Sequence, residues 1–432
     1  MSSFDETYDL RTFDPVLVDG APDAATAAWI GATRIAFHQS SGEQGVLQAA
    51  LGAVDDGRVF TGVYAKQPPA SSLDADWPVG TYAGFTKTIN VGGSSLVPSY
   101  LISDVTVRPT HKRRGMLRHL MTDRLAHASA TGHALAALTA SESTIYRRFG
   151  FGPSVRQRSI VVRRDRPFGL HAHPAGRVEL ASAHDLAAVA REVFAAFHAR
   201  TPGSVDRHLQ LWNGLLGLAT DEGKPDESVR AAVHYAEGSE RVDGYVVYRI
   251  IDADRVTTLQ VVDLVAGDAN AHLALWEFLG RVDLVDRITH RTSAVDNAVL
   301  HALVDSRSLE TLRESDHIWL RVLDPVAALE ARPYPVDGSL TLRLHDALGY
   351  ADGVFTIDAA GGSGRVSRAA EPATAVADLE LDVATLASLY LGGVSVGLLA
   401  EAGLVTARDD RAVARATAFF AAERPVYCIT DF

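Results

Sequence analysis

The chain has 432 residues, too many for one ordinary hydrophobic core and enough for two to four domains. Its formal net charge of -12 argues against a general nucleic-acid or membrane-surface binder and favours neutral or cationic partners. The single cysteine, Cys428, excludes an intrachain disulfide and any cysteine-built metal site, which suits a reducing compartment, and no metal is expected.

The opening MSSFDETYDLRTFD has neither the basic flank nor the apolar core of a signal peptide. No stretch approaches the roughly 20 apolar residues of a membrane helix, so a cytoplasmic protein without a membrane span is expected. AATAAWIGATRIAFHQ places Trp29, Ile30, Thr33 and Phe37 at helical spacing, whereas RVFTGVYA and GTYAGFTKTINVGG carry aromatic and β-branched residues between glycine-rich turns and predict a meander of strands. YLISDVTVRP predicts a strand, followed by a basic loop and a helix. HALAALTA predicts a second apolar strand, SESTIYRRFGFG a short helix ending on glycine, and RQRSIVVRRDRPFG an arginine-rich connector.

The middle third restarts the cycle. A helix in AHDLAAVAREVFAAFHAR precedes strands in VDGYVVYRII and RVTTLQVVDLVAG and a helix in NAHLALWEFLGRV. LQVVDLVAGDANAHLALWEFL overlies LISDVTVRPTHKRRGMLRHLM without the basic loop, the pattern of a degenerate internal duplication. The last third predicts strands at LTLRL, GVFTID and GRVSRA, a long apolar segment ADLELDVATLASLYLGG and a helix DRAVARATAFFAA. The glycines of AAGGSGRV lie between two strand-like runs and predict a hairpin turn rather than a nucleotide loop. PVYCITDF, residues 425–432, alternates like an edge strand.

VTVRPTHKRRGMLRHLMTDRLA carries the chemistry. Val105 and Val107 end a strand, Arg108 and Pro109 break it, and Lys112, Arg113, Arg114 and Gly115 lead into a helix with Leu117, Leu120, Met121 and Leu125 on its inner face. A helix N-terminus offers unpaired N–H groups and a positive dipole end to an anion, and arginines add charge-assisted hydrogen bonds. On these residues alone, a pyrophosphate cradle and a solvated basic turn are about equally supported.

The strand, the R-P break, the R-x-x-G-like turn and the amphipathic helix together resemble the acetyl-CoA-binding motif of the Gcn5-related N-acetyltransferases (GNAT). The resemblance implies main-chain contacts to pantetheine from Val105, Thr106 and Val107. It implies pyrophosphate binding by Arg113, Arg114, Gly115, Met116, Leu117 and Arg118. Ser141 and Glu142 fall on the opposite lip of the cleft, and Tyr146, Gly150 and Phe151 match a Y-x-x-x-G-F signature that makes Tyr146 the proton donor to the departing thiolate. A core tyrosine is the plainer alternative. No histidine of the first domain stands out as the base, and Cys428, in an apolar run, is expected to be inert.

With IWLRVLDPVAALEAR, LASLYLGG and a terminal aromatic residue, the whole chain is similar to the Eis (enhanced intracellular survival) acetyltransferases. That resemblance implies an α+β protein with tandem GNAT-like domains, 1–163 catalytic and 164–321 degenerate, then a sterol-carrier-like domain, 322–432. It implies acetyl-CoA as co-substrate, aminoglycosides or other polycationic amines as acceptors, and a homohexamer. It makes the terminal carboxylate of Phe432 the proton acceptor and sets Asp431 against the acceptor. Near Phe37 and Glu43 a short turn is expected where the family has helices. Non-catalytic binding of an acyl-CoA or lipid, and acetylation of protein lysines, are the competing readings.

Overall fold

The computed structural model describes residues 4–40, 42–165, 168–220 and 222–432. A single 12-stranded sheet runs through both predicted copies. Its strands lie in the order Tyr8–Phe13, Val59–Ala65, Gly80–Asn90, Leu96–Val107, Leu135–Thr139, Leu309–Val322, Gly152–Arg163, Arg287–Ala294, Val256–Ala266, Val242–Ala253, Arg230–Tyr235 and Arg177–Ala181.

Within this sheet the parallel neighbours are Leu96–Val107 with Leu135–Thr139 and Val256–Ala266 with Arg287–Ala294. Parallel neighbours need a crossover, supplied here by helices Met116–Ala130 and Ala269–Arg281. Each pair separates before its first strand ends. Pairing stops at Ile102 with Leu138 and at Val261 with His290, although the strands continue to Val107 and Ala266. A bulge accompanies each separation. Ser103 pairs with Ala83 and Thr106 with Thr81, leaving Asp104 at φ +54°, and the register also shifts between Val247 and Tyr248 opposite the second splayed strand. Bulges bend a strand and re-aim its side chains, so each copy opens a cleft where its parallel strands part.

The two copies share a seam. Gly152–Arg163 follows the first copy in sequence yet pairs with Arg287–Ala294 of the second, and Leu309–Val322, at the end of the second, pairs with Leu135–Thr139 of the first. These two long strands also pair with each other. The expected arginine-rich connector is thus largely a central strand. Val155, Ile160 and Val162 are buried, while Arg156 and Arg158 meet Glu314 at 3.1 and 2.9 Å and Arg163 meets Glu310 at 3.3 Å. The partners that make these arginines compatible with a strand come from a segment far away in sequence.

The last domain has a five-stranded sheet in the order Ser363–Arg368, Gly353–Ala360, Gly338–His345, Leu379–Asp382 and Val405–Ala407. Gly361 and Gly362, both at positive φ, turn the hairpin expected in AAGGSGRV. Every residue of helix Val383–Tyr390 is buried. A Cβ on Gly152 would lie 1.9 Å from the Ala384 carbonyl oxygen, so glycine there allows this helix to lie against the large sheet. Asp382 caps the helix by accepting from Thr385 N at 2.7 Å, and it pairs with Arg147 at 2.9 Å. Arg147 directly follows Tyr146, which ties the third domain to the first.

PVYCITDF is not the expected edge strand, since Val426–Ile429 joins no β-ladder. The segment threads between the copies. Tyr427 N donates to Pro202 O at 2.9 Å, Thr430 Oγ1 donates to Val205 O at 2.7 Å, and the Tyr427 hydroxyl donates to Thr292 O. Its apolar alternation reports burial against a loop, not strand pairing. Burial pushes the Cys428 thiol up to about 11, consistent with an inert core residue.

Candidate active site

Helix Met116–Ala130 starts after Gly115, which sits at φ +82° as N-cap and offers no side chain to the first turn. The first main-chain N–H groups therefore lack the capping carboxylate or hydroxyl that commonly satisfies one of them. Met116, Leu120, Met121 and Leu125 are buried and anchor the helix on the sheet, so Met116 offers a ligand its main chain rather than its side chain. Leu117 is half-buried, while Arg113 and Arg118 are exposed. Arg114 is engaged, donating to the Tyr8 hydroxyl at 2.9 Å and to Thr110 O at 3.2 Å. Arg108 donates to Trp77 O and Pro78 O at 3.3 and 3.1 Å, bracing the start of the loop.

Val105, Thr106 and Val107 lie beyond the parallel pairing. On one side they remain tied to the neighbouring strand through Gly80 and Thr81, and on the other the Leu135–Thr139 strand no longer accompanies them. This leaves a strand edge open beside an uncapped helix N-terminus. Ser141 and Glu142 are exposed just past the end of Leu135–Thr139, on the facing lip. Tyr146 ends the short helix Ser143–Tyr146, is 7 % exposed, and meets the Phe151 ring edge-on at 6.3 Å. Burial, then the nearby Glu142 carboxylate, raise its phenol pKa, so it holds its proton at neutral pH. It belongs to the core and borders the cleft.

On the other side of the splayed strand lies a cavity of ≈ 540 Å³. All three domains wall it: Trp29, Thr33 and Phe37 from helix Ala24–Ala36 and its C-cap, Leu211 and Leu215 from helix Leu209–Leu215 of the second copy, and Asp431 and Phe432. Ala49 and Ala53 come from helix Glu43–Asp55, where a short turn was expected. Its sequence, EQGVLQAALGAVD, is rich in small residues. Gly45 accommodates the Arg34 guanidinium, whose nearest atom would be 2.7 Å from an added Cβ, so helix packing here depends on small side chains rather than a large apolar stripe.

The last residues are held individually. Thr139 Oγ1 donates to the Phe432 main-chain oxygen at 2.9 Å, at the point where the parallel strands part. The Phe432 ring meets Phe85 edge-on at 6.2 Å. His208 Nε2 donates to Asp431 O at 3.0 Å while its Nδ1 accepts from Leu211 N at 3.2 Å, a pairing that requires the neutral ring. Burial, then the Arg58 charge, lower the His208 pKa to about 4. His317 occupies a register shift between Asp316 and Ile318; its Nε2 donates to Thr430 O at 3.1 Å and its Nδ1 lies 3.5 Å from Asp431 Oδ1. The Asp431 side chain is 66 % exposed and lines the cavity.

A charged floor completes the cavity. Asp104, on the bulge, is 3.3 Å from Arg58, which lies 4.3 Å above the Phe85 ring and 3.7 Å from buried Asp56. Burial raises the Asp104 pKa despite Arg58. Thr139, His208, His317, Arg58 and Asp104 were not identified in the sequence. Asp104, Thr139 and Arg58 lie within quoted strands but carried no signal of their role, and all five become relevant only through where Asp431 and Phe432 arrive.

Comparison with known proteins matches this division. Residues 22–154 and 203–322 each match a family described as "Acetyltransferase (GNAT) domain", and residues 325–429 match "Sterol carrier protein domain". An uncharacterized N-acetyltransferase of Streptomyces griseus is 34% identical over 373 residues, covering 83% of this chain and 87% of that protein. N-acetyltransferase Eis of Mycobacterium tuberculosis is 32% identical over 352 residues, covering 80% of this chain and 83% of that protein. The crystal structure of Eis1 from Mycobacterium abscessus superposes with a TM-score of 0.79 at 28% identity, covering 98% of this chain and 100% of that one. With tandem GNAT domains, an appended sterol-carrier domain and 32% identity to N-acetyltransferase Eis over 80% of its length, the chain belongs to the Eis family of N-acetyltransferases.

Proposed function

We propose that the first copy binds acetyl-CoA and transfers its acetyl group directly, in a ternary complex, to an amine of a polycationic acceptor such as an aminoglycoside. The observation that carries this reading is the Thr139 hydrogen bond to Phe432 O, which brings the last residue to the mouth of the splayed strands. The uncapped helix at Gly115 supports pyrophosphate binding there, with Arg113, Arg118 and the N–H groups of Met116 and Leu117 as donors. The open edge at Val105 to Val107 suits the pantetheine arm, and Ser141 and Glu142 border it.

In this reading the Phe432 carboxylate accepts the proton lost by the attacking amine, and Tyr146 protonates the departing thiolate of CoA. The new bond joins amine nitrogen to acetyl carbon, and the bond broken joins that carbon to sulfur. An α-carboxyl ordinarily titrates at about 3.3 to 3.7, too low for an efficient base, so burial or a water relay has to help. Asp431 lines the cavity and supplies negative charge to a cationic acceptor. A homohexamer in the cytoplasm, as the family resemblance implies, is part of the same proposal.

Adding a short Gly-Ser extension after Phe432 tests the base. Acceptor-dependent thiol release, with mass detection of the acetylated product, should drop by roughly 10²-fold or more while acetyl-CoA binding is retained. Full turnover by the extended chain removes Phe432 from the chemistry. Comparing polyamines, aminoglycosides and lysine peptides in that assay separates small-amine from protein acetylation.

A further inference from the structure

A second cavity, of ≈ 160 Å³, lies at the seam of the three domains and shares no lining residue with the acceptor cavity. Arg200 from the second copy, Arg332 at the C-cap of helix Pro325–Ala331 in the third domain and Arg424 all line it, as does the turn Gly92 to Ser94. Glu423 is its acidic lining residue.

Arg332 is the telling residue. It is 3 % exposed, and its Nε and Nη1 atoms are buried without a hydrogen-bond partner among the described residues. Its guanidinium lies 4.7 Å above the Phe420 ring and 5.2 Å above the Tyr334 ring, which fixes its plane but satisfies none of its N–H groups. Three other buried arginines, each with an unpartnered Nε of its own, are answered by carboxylates: Arg207 by Asp263 at 2.7 Å, Arg321 by Asp346 at 2.5 Å and Arg58 by Asp104 at 3.3 Å. A buried charge without a partner is strongly unfavourable, and guanidinium donors are shaped for a planar or tetrahedral oxyanion. The lining is cationic, and the Arg424 charge acts against that of Arg200, whose Nη1 donates to Gly267 O. The cavity far exceeds the roughly 10–15 Å³ of probe volume that a single water needs, leaving room for an anion with its hydration.

We propose that this cavity is a binding site for a small tetrahedral oxyanion of the phosphate or sulfate type. Arg332 supplies the buried fork, and Arg200 and Arg424 close the site from the second copy and from the strand of chain leading to Pro425. The bound anion neutralises the cluster. It also pins Ala421 to Arg424, the root of the terminal segment, onto the body of the protein.

Thermal unfolding of the full chain, titrated with sodium phosphate or sulfate against sodium chloride of matched ionic strength, tests the site. Saturating CoA is present throughout to occupy the cradle at Arg113 to Arg118. The expected result is a saturable rise in Tm with the oxyanion, absent in Arg332→Met and at least halved in Arg424→Ala. An equal rise in Arg332→Met, or no rise beyond chloride, overturns the proposal. Should Arg332→Met fail to fold, an undiminished response in Arg424→Ala overturns it. A Tm insensitive to phosphate but rising with protein concentration indicates a carboxylate from a second copy and equally overturns it.

Discussion

The two strand-helix-strand copies share a parallel pair that parts early, a bulged edge and a crossover helix, but differ in what fills the gap. In the first, Val105 presents an open edge and Gly115 leaves the helix N-terminus without a side-chain cap. In the second, the matching strand carries Asp263, whose carboxylate is held by Arg207 at 2.7 and 2.8 Å and by the Tyr245 hydroxyl at 2.7 Å, all buried. Asp268 caps the second helix, accepting from Ala271 N at 2.8 Å, and the Tyr427 hydroxyl closes on Thr292 O. The same scaffold therefore leaves its helix N-terminus without a side-chain cap once and closes it with a carboxylate once. A fold supports chemistry only where its polar groups are left available, and a carboxylate at a helix N-terminus occupies the place an anionic ligand would take.

The sharpest way to break the comparison is to disable the copy assigned to chemistry. Tyr146→Phe should lower acceptor-dependent thiol release by roughly 10²–10⁴-fold, with CoA affinity by calorimetry unchanged. Undiminished turnover would make Tyr146 a packing residue like its neighbour Phe151. In the second copy the expected loss is structural instead. Arg207→Met leaves the Asp263 carboxylate buried without its cation and should cost about 3–5 kcal/mol in denaturant unfolding, of which the Arg207→Met/Asp263→Leu double variant recovers most.

Giving the first helix the carboxylate of the second is a subtler exchange. Gly115→Asp places an acid where a diphosphate would bind and a Cβ at φ +82°, so the Kd for CoA should rise about tenfold or more while the acceptor KM holds. The reverse change has the smallest effect. Asp268→Ala should cost about 1 kcal/mol in thermal stability through the lost cap, and calorimetry should still find one CoA per chain because the second copy lacks the arginine-rich loop that precedes the first helix. A second CoA equivalent in that variant would show that the cap alone silenced the copy.

The duplication was legible because strand, turn and helix are local, and LQVVDLVAGDANAHLALWEFL keeps their periodicity. The turn into helix Met116–Ala130 was legible for the same reason: Gly115 and the inner face Leu120, Met121 and Leu125 are neighbours in sequence. Gly152–Arg163 was misread as a connector because its charges are balanced by Glu310 and Glu314, far along the chain. Helix Glu43–Asp55 escaped notice because its buried face, Gly45, Val46, Ala50, Gly52 and Ala53, is made mostly of small residues and forms only a slight apolar stripe. Val426–Ile429 alternates as a strand does, and only its neighbours reveal that loop 202–205 takes the place of a ladder.

The sequence by itself determined the repeated strand-helix pattern and, through motifs that resemble a known family, the acetyltransferase class, since those motifs lie among near neighbours. Tertiary structure decided the exchange of long strands between copies, the cavity walled by three domains, and the clamp of Thr139, His208 and His317 on the final residues. Those features join groups distant in sequence, whose encounter depends on burial and on the paths of intervening chain. No local periodicity records such encounters.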